Sequence, residues 1–175
     1  MMLSYVLAFC RVATGLVFAW SFVGKVQDIS SFIQTINRFK ILPKVFHQPA
    51  AVAFLASELV VLGTMILGGK LLLWGFLLAG LLLISFSIAL VSVLIRKIQI
   101  PCNCFGSSQK PISSFDVFRN ITLILLSLSA YGLLIANGES LMAMLGWSDW
   151  GLIGVAAFVF VMVLVQLREI SQILR

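Results

Sequence analysis

"LLLWGFLLAGLLLISFSIALVSVLI", residues 71–95, runs from end to end without a charged side chain. At the helical rise it extends roughly 37 Å, more than the hydrocarbon core of about 30 Å. A soluble core helix has no need of so long an apolar run, and a membrane does. Residues 121–138 and 150–167 are also uncharged and close to the minimum spanning length. Residues 3–24 and 49–69 are as apolar, except for Arg11 in the first and Glu58 in the second. Backbone polar groups facing lipid must be satisfied within each segment, so these runs are read as α-helices.

The rest of the composition agrees. Of 175 residues, 61% are hydrophobic and 10% charged, too apolar for a soluble domain to hide. The expected architecture is all-α: a polytopic membrane bundle of about five spanning helices, near 3–25, 49–68, 71–95, 115–137 and 150–168. It forms a single integral-membrane domain over residues 1–175. The first segment has no basic leader and is interrupted by Arg11, which favours a retained helix over a signal peptide. Between the first two spans, Ile29, Phe32, Ile33, Ile36 and Phe39 recur at helical spacing with Arg38, Lys40 and Lys44 nearby. That pattern predicts an amphipathic helix lying in the membrane interface and ended by Pro43. Gly68-Gly69-Lys70 predicts a tight turn, and Trp147 and Trp150 suit the headgroup level.

The net charge of +6 reports topology before it reports a nucleic-acid partner. With the N-terminus outside, the inner side receives Lys25, Arg38, Lys40, Lys44, Arg96, Lys97, Lys110, Arg119, Arg168 and Arg175. Only Lys70 falls outside. The C-terminus and the loop between the third and fourth spans are then cytoplasmic.

Arg11 and Glu58 lie at membrane depth, where ionisable residues pair or serve function. Counted from the outer helix ends, they sit roughly 12 Å and 15 Å deep. Antiparallel neighbours would bring them within one turn, so Arg11 and Glu58 are expected to form an intramembrane polar pair. Lys25, closing the first span, is expected to snorkel to the inner surface.

The most polar stretch, "IQIPCNCFGSSQKPIS" at residues 99–114, holds two of the three cysteines, Cys102 and Cys104. On a helix, positions i and i+2 point about 200° apart. In an extended or turning backbone they share a face, with Cα atoms near the disulfide limit of about 6.8 Å. Pro101 blocks a helix before the pair, and Gly106 permits unusual dihedrals after it. Neighbouring cations favour thiolate. The spacing therefore allows an exchanging dithiol, and equally an inert packing pair. A metal is not expected, because Cys102, Cys104 and the single histidine, His47, fall short of the four ligands of a closed zinc site. Cys10 is read as a packing residue.

Several separated features resemble the methylamine-utilisation MauE family, within the wider DoxX-like group of small membrane proteins. They are Arg11, Gly24-Lys25, the "ILP" at 41–43, Glu58, the "CNCFG" at 102–106 and Arg119-Asn120. The resemblance implies a four-helix DoxX-like core plus one helix, in a bacterial inner membrane. It also implies thiol–disulfide chemistry, with Cys102 and Cys104 as the exchanging pair and Lys25 and Arg119 supporting the thiolate or docking a partner. A thioredoxin-like protein acting outside the cytoplasm is the implied partner, and DoxX relatives add a membrane quinone. A quinone-linked version predicts a lipid-accessible pocket near Arg11 and Glu58. The other reading is non-catalytic: an accessory subunit of a larger membrane complex, with Gly75, Ala79 and Gly80 permitting close helix contacts.

Overall fold

The computed structural model describes residues 2–39, 47–96, 114–138 and 145–173. Six helices occur among them: α1 (Met2–Gln27), α2 (Ile29–Phe39), α3 (His47–Leu67), α4 (Leu71–Ile95), α5 (Ser114–Asn137) and α6 (Trp147–Ile173). Five, all but α2, are long and apolar enough to span a membrane. The chain is a multi-pass, all-helical membrane protein. Between 22% and 44% of each span's most apolar stretch is buried inside the bundle, so most of that surface is left for lipid.

α1 is the central post. It packs against α3, α5 and α6, while α4 packs against α3 and α5 on the other side. Lipid is as apolar as leucine, so close packing and polar contacts must hold such helices together. Both are visible. Where α3 meets α4, a Cβ on Gly75 would lie 2.9 Å from Cβ of Thr64 and closer still to its hydroxyl, so only glycine fits. Ser127 of α5 donates to the carbonyl of Phe76 in α4 at 2.9 Å, a buried bond between spans. α6 meets α1 through an edge-to-face pair of Phe9 and Phe160, 5.3 Å between centroids.

The turn between α3 and α4 matches the glycine pattern, with Gly68 and Gly69 at φ of 71° and 61°. α2 begins where Asp28 accepts the Ser31 amide at 3.0 Å and the Ser30 hydroxyl at 2.8 Å, as an N-cap does. Its Phe32 and Thr35, three residues apart, are buried, while Ile29 is exposed. The apolar face of α2 thus turns partly onto α3 and α1 rather than wholly into the interface. Pro43, expected to end this helix, lies outside the described residues. At its other end the bundle extends further than the sequence suggests. α6 starts at Trp147, where Asp149 accepts the Gly146 amide at 2.9 Å.

Candidate functional site

Ser21 and Lys25 are four residues apart on α1 and so share one face. Phe54 and Glu58 do the same on α3. The two faces meet, and Lys25 Nζ forms an ion pair with Glu58 Oε1. Ser21 Oγ donates to that same oxygen at 3.0 Å and accepts from Lys25 at 2.7 Å. Lys25 and Glu58 are each 2% exposed, which makes this a desolvated ion pair rather than a surface one. The ammonium also lies 4.7 Å from the Phe54 ring centroid and 5.4 Å from that of Phe32. Aromatic faces at that range stabilise a cation removed from water.

The expected pairing of Arg11 with Glu58 is therefore corrected: Glu58 is held by Lys25. The reason is register. A Cβ on Gly15 would touch Cβ of Met65 at 3.6 Å. Counting in opposite directions from that contact, Glu58 stands level with roughly residue 22 of α1 and Arg11 with roughly residue 69. The depth count assumed aligned helix ends, whereas α1 extends past the end of α3. Arg11 instead donates from Nε to the carbonyl of Met65 at 2.6 Å and from Nη2 to that of Ile66 at 2.9 Å. These belong to the last turn of α3, whose carbonyls lack helical partners. Its guanidinium also lies 5.5 Å from the Trp150 ring centroid, which ties α6 to the same point. Lys25 does not snorkel either, since its side chain turns back along α1 toward Ser21.

A small cavity opens beside the pair, with room for about a water or two, partly continuous with the bundle surface. Its polar wall is Ser21, Lys25, Glu58 and Asn120. Its apolar wall includes Phe18, Phe54 and Phe86. Asn120 is 1% exposed and donates to Ser87 Oγ at 3.3 Å. Glu58 Oε2 faces no hydrogen-bond partner among the described residues, although the residue is almost fully buried. Arg119, next to Asn120, is buried and lies 3.6 Å from Asp116 one turn earlier. It does not line this cavity. Where a lipid-accessible pocket is expected near Arg11 and Glu58, the small cavity is lined by Glu58 and Lys25 and not by Arg11. At Arg11 there is a wider hollow bordered by Leu145, Trp147 and Trp150.

Cys102 and Cys104 lie outside the described residues, as does the "ILP" at 41–43. Cys10 is buried in the core between spans. Among the described residues, no cluster of three or more His, Cys, Asp or Glu could hold a metal ion.

Spanning helices with a buried charged pair between two of them define a small polytopic membrane protein with an intramembrane polar cavity. The family model described as "Methylamine utilisation protein MauE" matches residues 3–136, and the chain belongs to the MauE family. That match takes in α1 through α5 and the cysteine-bearing segment, and leaves out α6. A protein of Paracoccus denitrificans named "Methylamine utilization protein MauE" is 28% identical over 120 residues. The alignment covers 68% of this chain and 64% of the relative, so the chain spans a little under two thirds of that protein's length. No solved structure matches the chain.

Proposed function

We propose that this protein is a thiol–disulfide redox protein of a bacterial inner membrane, exchanging electrons between Cys102/Cys104 and a thioredoxin-like partner. The thiolate of one cysteine attacks the partner's disulfide and forms a mixed disulfide, releasing one partner thiolate. The second cysteine then attacks the mixed disulfide, leaving a Cys102–Cys104 disulfide and a reduced partner. Two electrons pass to the partner, and the reverse sequence returns them. The names of the family and of its Paracoccus relative point to methylamine utilisation as the setting.

The main support is the convergence of the polar residues on one end of the bundle. Residues 97–113 join the end of α4 to the start of α5. Asn120, roughly 9 Å along α5 from Ser114, lines the cavity with Lys25 and Glu58. The ends of α4 and α5 that this segment connects therefore lie at the same end of the bundle as the buried ion pair. Lys25 and Arg119 are both buried beside carboxylates, Glu58 and Asp116, so any support they give the thiolate would come from within that end of the bundle.

The test is differential alkylation in intact cells carrying Cys10→Ser, with an impermeant maleimide applied before and after a permeant reductant. Labelling of Cys102 and Cys104 that requires prior reduction supports the dithiol, and labelling without permeabilisation assigns the outer face. Cysteines that remain reduced in all growth conditions would refute the redox reading and favour the accessory-subunit one.

A further inference from the structure

The helix-end contacts of Arg11 leave its positive charge unanswered. Nε and Nη2 donate to the carbonyls of Met65 and Ile66, and the guanidinium lies over Trp150. A guanidinium carries five N–H donors. Nη1 has no acceptor among the described residues, and it is not sealed from its surroundings. Arg11 also forms no ion pair among them, whereas Lys25 and Arg119 each lie beside a carboxylate. Asp149, next to Trp150, is taken up by the Tyr5 hydroxyl at 3.0 Å and the Gly146 amide at 2.9 Å. Ionisable residues at membrane depth nearly always find a partner. The surroundings of Arg11 indicate one. It stands level with the turn that ends α3, at the edge of the spans rather than their middle. Lys70, exposed in that turn, adds a second positive charge. Arg11 borders an open hollow of about 480 Å³, walled among the described residues by Leu145, Trp147 and Trp150. Trp147 is 93% exposed, and tryptophans of this kind mark the level of lipid headgroups. The anion concentrated at that level is lipid phosphate, whose oxygens match the planar fork of arginine.

We propose that this hollow holds the phosphodiester of a phospholipid from the leaflet at that end, with Arg11 Nη1 donating to a phosphate oxygen. Trp147 and Trp150 flank the headgroup, and the acyl chains stay in the bilayer. The lipid supplies the negative charge that the protein does not, so the site selects a phosphate over an uncharged headgroup. Asp149 is the opposing charge nearby, and its oxygens are directed to Tyr5 and Gly146. The proposal stands without the dithiol reading, and its test leaves the cysteines untouched.

The full-length protein, delipidated in a nonionic detergent, is titrated with dioleoylphosphatidylglycerol, and bound lipids are counted by native mass spectrometry. Dioleoylglycerol, with the same chains and no phosphate, should bind at least about ten-fold more weakly. Arg96, at the opposite end of α4 from Lys70, also attracts this lipid, so variants assign the site. Arg11→Gln should lose one tight site, and Arg96→Gln should keep it. Trp147→Glu places a carboxylate beside the hollow at an exposed position and should weaken the same site by about ten-fold, while Trp147→Gln should weaken it less. Wild-type affinity in Trp147→Glu would overturn the proposal even where Arg11→Gln binds less, because Arg11 also fastens α3. Equal binding of dioleoylglycerol would overturn it too. Displacement of the lipid by millimolar inorganic phosphate would assign the site to a soluble anion and overturn its lipid source.

Discussion

Replacing Lys25 with methionine separates the charge of the buried pair from its packing. Methionine keeps an unbranched apolar stem against Phe32 and Phe54 but removes the ammonium that Glu58 and Ser21 share. Glu58, 2% exposed, would then hold a charge answered only by Ser21 at 3.0 Å. Removing one partner of a buried ion pair costs about 3–5 kcal/mol, mostly the penalty of the stranded charge. Replacing both partners with apolar residues of similar volume leaves no stranded charge, and such replacements are often neutral. The double variant Lys25→Met/Glu58→Met should therefore be more stable than either single variant, by about 2 kcal/mol or more. Equilibrium unfolding in mixed micelles with increasing sodium dodecyl sulfate, read by far-UV circular dichroism, measures all four corners of the cycle. If the double variant loses the sum of the two single losses, the pair is not coupled and this account of the site fails.

Gly75→Ala should lower stability in the same assay by about 1–3 kcal/mol, because the new methyl would sit 2.9 Å from Cβ of Thr64 across the α3–α4 contact. Thr64→Ala in the same chain removes the hydroxyl, which lies nearer still, and should restore part of the loss while the Cβ contact stays; no rescue at all would exclude the hydroxyl clash as a cause. Asp28 lies outside the spans, and its hydrogen bonds from Ser31 and Ser30 hold its carboxyl below the ordinary carboxylate range. A depressed value in the folded state means the cap is fully present above the ordinary range and is lost as pH falls through the lower folded value. Amide chemical shifts of Ser30 and Ser31 should accordingly change below about pH 4 and not between pH 5 and 7, and Asp28→Asn should remove that titration.

The spans were legible because hydrocarbon thickness imposes a length and an absence of charge that few other structures require. Residues 71–95 met both conditions outright, and α4 occupies exactly those positions. The partners of the intramembrane charges were not legible. Arg11 and Glu58 stood out as the only ionisable residues within their runs, but their pairing depended on the vertical register of α1 against α3. Register is set by contacts such as Gly15 with Met65 and Arg11 with the end of α3, which no count along one helix reveals. A local signal for the true pair was present: Ser21 with Lys25 and Phe54 with Glu58, each four apart, mark one polar-aromatic stripe on each helix. Lys25 was assigned to the surface because lysine near a helix end usually reaches water. Here the bundle closes over it. The cysteine pair was readable only from spacing and from its resemblance to the family.

The two intramembrane charged sites differ in what they leave without a partner. Arg11 meets the last-turn carbonyls of Met65 and Ile66 and lies over Trp150, so it joins α1, α3 and α6 at one level. The turn is shaped around it. Gly68 takes a left-handed φ of 71°, which requires glycine, and a Cβ there would crowd Arg11 Nη2 at 2.9 Å and push the guanidinium aside. The protein contacts of Arg11 are explained by helix-end satisfaction alone. Roughly 21 Å further along α1, Lys25 joins the same two helices, α1 and α3, by a second charged contact. If fastening were its whole purpose, a second end-capping arginine or an apolar pair would do as well, since a buried ion pair is weak support for stability. Instead one oxygen of Glu58 is fully engaged, and the other is buried with no hydrogen-bond donor among the described residues, in a residue that lines the ring-walled cavity. An acceptor fixed through one oxygen and left without a donor on the other carries a cost that fastening two helices does not explain.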